Sequence, residues 1–193
     1  MTKKGLVNVQ PLRTQDEIKD MINALRRGNK ATRKRKDLAE RDVLLFLTGI
    51  NTGLRAGDLV RLKVADVRTD TCYLQEQKTG KKREIQLASI RPDLDPFLEG
   101  KADEAYLFAS QKGTHLSTTQ VYRILEAAAD WLGRTDIGTH TMRKTFGYHL
   151  YKQTKDVALL QEIFNHASPT ITKRYIGIRR EEINRSLERF RLG

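Results

Sequence analysis

The 193-residue chain carries 36 lysines and arginines against 24 aspartates and glutamates, a net charge of +12 and a sequence pI near 9.9. That length supports one sizeable core rather than a pair of domains, and the charge calls for a polyanionic partner, nucleic acid first, since no amphipathic anchor or lipidation signal argues for a membrane surface. The single cysteine, Cys72, excludes an internal disulfide and suits a reducing cytoplasm, and the sequence holds neither an apolar run approaching ~20 residues nor the h-region of a signal peptide.

Taken in order, residues 1–13 read as extended, and Thr14 followed by Glu17 has the spacing of a capping box that opens a helix running to about Arg27, with Ile18, Met21, Ile22 and Leu25 facing inward. The dense basic run from Arg26 to Lys36, with Arg33, Lys34, Arg35 and Lys36 at its end, is expected to contact a DNA backbone. From Asp37 to about Thr52 the helix is apolar nearly all round and should be central, with Gly53 ending it. A short helix follows in which Arg55 and Asp58, three residues apart, share a face, so that Asp58 can hold Arg55 in place.

Between Val64 and Leu87 the period turns toward β. Three pieces, Val64–Val67, Thr71–Glu76 and Arg83–Leu87, predict a small three-stranded antiparallel sheet, with Lys78-Thr-Gly80-Lys81 as a hairpin turn. Lys81, Lys82 and Arg83 join the expected backbone contacts, while Lys78 stands on a tip that could carry an ammonium onto a bound ligand. Pro92, Pro96 and Gly100 punctuate a short structural helix. Ser117 caps another in which Val121, Ile124, Leu125, Ala128 and Leu132 face inward, and Trp131 is read as core.

Thr139 is expected to cap a helix that sets His140 and Arg143 in its first turn and on one face with Gly147, opposite Met142 and Phe146. Asp156 caps the next helix, which delivers His166 at its end. Ser168-Pro169 then starts a short helix carrying Tyr175 on the face of Ile171. In the tail from Glu181, Ile183, Leu187 and Phe190 form an apolar stripe, expected to pack in cis or be poorly ordered in an isolated domain. The whole reads as one α+β, mainly α-helical domain over residues 1–193, with 181–193 as its tail helix.

Singly, a capped histidine or a surface arginine is ordinary. In their order, Arg55, Lys78, His140-x-x-Arg143, His166 and Tyr175 resemble the tyrosine recombinases of the phage integrase family, and the resemblance covers nearly the whole chain. Thr52-Gly-Leu-Arg-Ala-Gly-Asp-Leu is similar to the family's first box, Gln77-Lys-Thr-Gly-Lys to its lysine hairpin, and Asn165-His-Ala-Ser-Pro-Thr-Ile-Thr-Lys-Arg-Tyr175 to the box of the second histidine and the nucleophile. Two departures stand out. Phe164-Asn165 replaces a frequent Leu-Gly before His166, and only about 13 residues precede the first helix, where members usually carry a core-binding domain that closes a clamp on DNA. This is either an excised catalytic domain or a short member resembling the fimbrial-switch recombinases.

The resemblance implies a helical catalytic domain of the DNA breaking–rejoining type. Arg55 and Arg143 would fork onto nonbridging oxygens, as planar guanidinium groups suit, Tyr175 would be the nucleophile and Lys78 the acid for the departing 5′ oxygen, with Lys81 as its rival. His140 and His166 would bond the phosphate or move the tyrosyl proton. Tyr148 and Tyr151, on the His140 helix, are read as structural, as are Tyr73, Tyr106 and Tyr122. No cofactor or metal is implied. The implied partners are double-stranded DNA and three further copies in a tetramer on paired sites, where the tail stripe would exchange in trans into a groove on a neighbouring protomer, the free protein being a monomer, in the cytoplasm and at the nucleoid of a bacterium, phage or mobile element. A catalytically silent DNA-binding module of the same fold and a type IB topoisomerase are the rival readings.

Overall fold

The computed structural model describes residues 9–28, 35–188 and 190–191. Thr14 opens α1 (Gln15–Arg27) with both halves of the capping box formed. The helix buries Met21 and Leu25 against α2 (Lys36–Thr52), the central helix, whose Leu45 and Phe46 are fully buried. Gly53 ends α2 in the left-handed conformation, φ 62, which a side chain would resist. Its carbonyl is thereby turned out of the helix. A one-turn helix, α3 (Ala56–Leu59), leads into the sheet.

The sheet has two strands rather than three. β1 (Thr71–Gln75) and β2 (Lys82–Gln86) pair antiparallel in the register Thr71↔Gln86 to Gln75↔Lys82, closed by a turn with Gly80 at φ 65. The segment expected as a third strand coils instead into a 3₁₀ turn over Ala65–Val67. Asp66 accepts the Lys63 N–H at 2.7 Å, a local bond that competes with strand pairing. The turn also places Val64 and Val67 on one side, so both are buried without a sheet partner.

Beyond α4 (Arg91–Leu98), Ser117 and Gln120 form the capping box of α5 (Thr118–Trp131), which packs Val121, Leu125 and Ala128 into the core. Trp131 is not core: it is 54% exposed, with the Arg27 guanidinium over its ring at 5.6 Å. It falls at the edge of the stripe formed by Val121, Leu125 and Ala128, and the next residue, Leu132, packs against the core in its place.

α6 (Thr139–Thr154) starts one residue earlier than expected, with Gly138 as its cap, because the Thr141 hydroxyl takes the Gly138 N–H at 3.1 Å. Its two sides are both packed. Met142 lies against Gly49 of α2. On the other side Gly147 meets Phe164, at the end of α7 (Val157–Phe164), and Ile176, just after α8 (Pro169–Tyr175). The face carrying Arg143 and Gly147 is therefore buried, not solvated. A last helix, α9 (Ile178–Glu188), follows the turn at Gly177. No helix among the described residues is long and apolar enough to cross a membrane.

At Gly147 a Cβ would stand 2.7 Å from Ile176 Cγ2 and from the Phe164 ring. Gly147→Ala should therefore push α8 off α6 and destabilise the domain by about 1–3 kcal/mol, read as an earlier denaturant midpoint at unchanged slope.

Candidate active site

Arg143 is the buried member of the expected set, 3% exposed and past the first turn of α6. Its Nη1 donates to Gly53 O at 2.5 Å and its Nη2 to Phe164 O at 3.2 Å, while the guanidinium lies 4.3 Å from the centroid of the Phe164 ring. Both carbonyls sit at helix C-termini, where acceptors are unsatisfied and the dipole favours a cation. Burial, then the charge of Arg55, pushes Arg143 down to about 10, which leaves it a cation at neutral pH.

Arg55 caps α3, and its guanidinium does not bond the Asp58 carboxylate. Its Nη1 donates to Glu76 Oε2 at 2.6 Å. Asp58 instead accepts the Gln77 N–H at 2.9 Å, so it fixes the base of the Lys78 turn rather than Arg55. The reason is strand geometry: inward positions recur by two along β1, and Cys72, Leu74 and then Glu76 point in. Glu76 is the member of the cluster that the sequence reading left out, and its signal was there, a carboxylate in phase with an apolar inward face. It also receives the Thr79 hydroxyl at 2.9 Å. Burial works against its charge, but the hydrogen bonds of Arg55 and Thr79 and the charges of Arg55 and Arg143 hold its carboxyl below the ordinary range.

Tyr175, His140 and His166 meet on the open side of this cluster. His140 Nδ1 lies 3.1 Å from the Tyr175 hydroxyl, and the two rings stand edge to face. The His166 ring packs 5.2 Å from that of Tyr175, with its Nδ1 3.1 Å from the Thr172 hydroxyl. Phe164 lies under both rings, 5.3 Å from His166 and 5.6 Å from Tyr175. Asn165 keeps the left-handed turn expected of glycine, at φ 51, so the departure from Leu-Gly leaves His166 in place. Burial raises the Tyr175 phenol, with Arg143 and Arg55 opposing. Burial and surrounding cations lower both histidines, favouring neutral imidazoles that can accept a proton.

Lys78 is exposed at the hairpin tip, its ammonium near enough to disfavour a charged His140. Lys81 donates to Asn165 Oδ1 at 2.6 Å, which ties the hairpin to the loop of His166. Lys82 is exposed. Arg83 is not a surface contact: its side chain is 15% exposed, donates to Thr52 O at 2.7 Å and lies 3.6 Å from Glu76, because it shares the inward face of β2 with Ile85. Arg35 forks onto Asp37 and Lys36 is exposed at the start of α2, while Arg33 and Lys34 lie outside the described residues. Tyr148 and Tyr151 are buried with their hydroxyls on Glu181 and Glu182, remote in role from Tyr175. Among the described residues no three His, Cys, Asp or Glu side chains gather as a metal would require.

Known proteins resemble the chain in sequence and in fold. A protein of Bacillus subtilis (strain 168) named "Probable integrase/recombinase YoeC" is 44% identical over 173 residues, covering 88% of this chain and 90% of its own. Tyrosine recombinase XerA of Pyrococcus furiosus is 26% identical over 186 residues, and there the chain spans 61% of the relative's length. A lambda integrase fragment, solved as a dimer bound to a COC′ core site, superposes with a TM-score of 0.65 at 26% identity over 91% of this chain and 62% of that one. The phage integrase family model runs from residue 12 to residue 182, from the segment before α1 into α9, and takes in every residue of the cluster around Tyr175: the chain belongs to the phage integrase family of tyrosine recombinases.

Proposed function

We propose that this domain breaks and rejoins DNA strands site-specifically through a 3′-phosphotyrosine intermediate. The observation that carries the reading is the Tyr175 hydroxyl 3.1 Å from His140 Nδ1, against His166 and within the field of Arg143 and Arg55. The Tyr175 oxygen attacks the scissile phosphorus as its proton passes to His140. Negative charge on the nonbridging oxygens of the pentavalent state is met by Arg55 and by the N–H groups that Arg143 does not spend on Gly53 and Phe164. Lys78, on its exposed turn, gives a proton to the departing 5′ oxygen. The reverse sequence, with the 5′ hydroxyl of another strand as attacker, returns the proton to Tyr175 and seals the backbone, so the bond energy is conserved in the adduct.

The partners in this reading are duplex DNA, as in the lambda integrase complex, and further copies of the chain. Assembly is supported by α9. That helix is held to its own domain by carboxylates, Glu181 on Arg13 and Lys152 and Glu182 on Lys173 and Tyr151. The helix ends at Glu188, short of the expected tail helix to 193, so Phe190 lies beyond it; Ile183 and Leu187 on α9 and Phe190 after it are 49%, 64% and 66% exposed. That exposure supports docking of these side chains on a neighbouring protomer over packing in cis, and over a topoisomerase that acts alone. Exposed Lys36, Lys81 and Lys82 supply backbone contacts.

Incubated with a nicked duplex that loses its 5′ fragment after cleavage, the protein should form a covalent adduct through the 3′ phosphate, and Tyr175→Phe should abolish it. An adduct that survives in Tyr175→Phe but not in Tyr148→Phe or Tyr151→Phe assigns the wrong nucleophile, and no adduct from any form on its own site favours the silent DNA-binding module. Replacing Leu187 and Phe190 with serine should leave the thermal midpoint of the free protein within about 2 °C, as changes at exposed sites do, while synaptic complexes on native gels are lost.

A further inference from the structure

Lys144 makes contacts that the strand-transfer scheme leaves unused. It stands one helical turn beyond His140 on α6, and both side chains reach Tyr175. Its ammonium lies 5.3 Å from the centroid of the Tyr175 ring. A surface lysine ordinarily carries that group into water, but this one is half-buried and donates to Val9 O at 2.6 Å. Val9 begins a strap over α6. Gln10 N donates to Asp136 O at 2.9 Å, Leu12 N donates to the Thr145 hydroxyl at 2.9 Å, and His149 Nε2 lies 3.0 Å from Leu12 O. The strap ends at Arg13, whose side chain is paired with Glu181 of α9. A chain of contacts therefore runs from the segment that enters the domain, through one ammonium, to the ring of the nucleophile.

We propose that Lys144 is a positioning residue for the strand-transfer reaction: its ammonium, pinned by the Val9 carbonyl against the Tyr175 ring, holds that ring in place and sets a positive charge one helical turn from His140. The proposal rests on Tyr175 being the nucleophile. The proton balance is that of the scheme above, from Tyr175 Oη to His140 Nδ1, and Lys144 exchanges none. A cation over an aromatic face gains more as the phenol becomes phenolate, so the contact strengthens toward the transition state. The charged groups around the pair agree. After burial, Lys144 is the leading charge that disfavours a protonated His140, ahead of Arg143, Arg55 and Lys78. Burial and Arg13 lower the ammonium of Lys144 itself, and the Val9 carbonyl and the Tyr175 ring are the contacts that favour its charged form.

The test begins on the free protein, where imidazole NMR titration follows His140, assigned by loss of its signal in His140→Gln. In Lys144→Met, His140 should titrate about 0.5 pH unit or more above wild type, and Lys144→Arg should return it. Lys144→Gln, which keeps a donor for Val9 without charge, should behave as the methionine variant. In single-turnover cleavage at saturating nicked duplex, Lys144→Met should slow the reaction severalfold at neutral pH and move its acid limb up with the His140 titration, with Lys144→Arg restoring both. Unchanged titration in both neutral variants overturns the proposal. So does a loss confined to DNA affinity with the saturated rate intact, which would make Lys144 a phosphate contact only. The titration needs neither DNA nor cleavage, so a shifted His140 in a protein that forms no adduct would fault the strand-transfer reading and not the placement of Lys144.

Discussion

A guanidinium buried at 3% exposure needs acceptors that water would otherwise provide, and Arg143 finds them at the ends of two helices. Gly53, the residue that caps α2, turns its own carbonyl toward it, and Phe164 offers the last carbonyl of α7. Each helix is stopped by a residue in the left-handed conformation, Gly53 itself and Asn165. The arrangement satisfies three requirements at once: the arginine is bonded, two helix ends lose unpaired acceptors, and the negative ends of two dipoles face a cation. It also fixes the distances that matter, because α2, α6 and α7 must converge within the reach of one side chain. α8 then follows α7 by a short turn, with Ser168 accepting the Ile171 N–H as its cap, and Tyr175 falls beside the arginine.

Phe164 is the apolar half of the same arrangement. Its carbonyl takes Arg143 and its ring lies under Arg143, His166 and Tyr175, so one residue sets the spacing of three others. The absence of a side chain at Gly147 admits the ring to α6. Electrostatically the cluster is unbalanced on purpose. Arg55, Arg83 and Arg143 surround Glu76, which orients Arg55 and cannot neutralise all three. The surplus positive charge, with two imidazoles kept neutral beside it, suits an incoming phosphodiester that is to be attacked rather than merely held.

Much of this was legible because it is local. The box at Thr14/Glu17, the caps at Ser117, Asp156 and Ser168 and the helix stop at Gly53 are each written within four residues, and each formed as read. The order Arg55, Lys78, His140, Arg143, His166, Tyr175 identified the family, and the fold brings Arg55, His140, Arg143, His166 and Tyr175 together with Lys78 on the turn nearby. What failed depended on tertiary partners. Asp58 is the acidic neighbour of Arg55 in sequence, but β1 delivers Glu76, just past its end, to the Arg55 guanidinium. Arg83 sits in a basic run, yet the period of β2 turns it inward. Trp131 is large and apolar, but Leu132 beside it takes the position that packs on the core. Lys144 has no sequence signal at all, since its anchor is a backbone carbonyl of the entering strap.

The claim that the site is built around a buried cation held by two helix ends is tested most directly at Arg143 in the absence of DNA. Arg143→Met removes the donor and leaves the Gly53 and Phe164 carbonyls unpaired, at about 1–3 kcal/mol for each acceptor so exposed to an apolar interior, while Arg143→Lys can still reach one of them. Equilibrium denaturant unfolding of the three proteins should therefore rank wild type above the lysine variant and the lysine variant above the methionine variant. A methionine variant as stable as wild type would contradict the account and reduce Arg143 to a catalytic group that the fold merely tolerates.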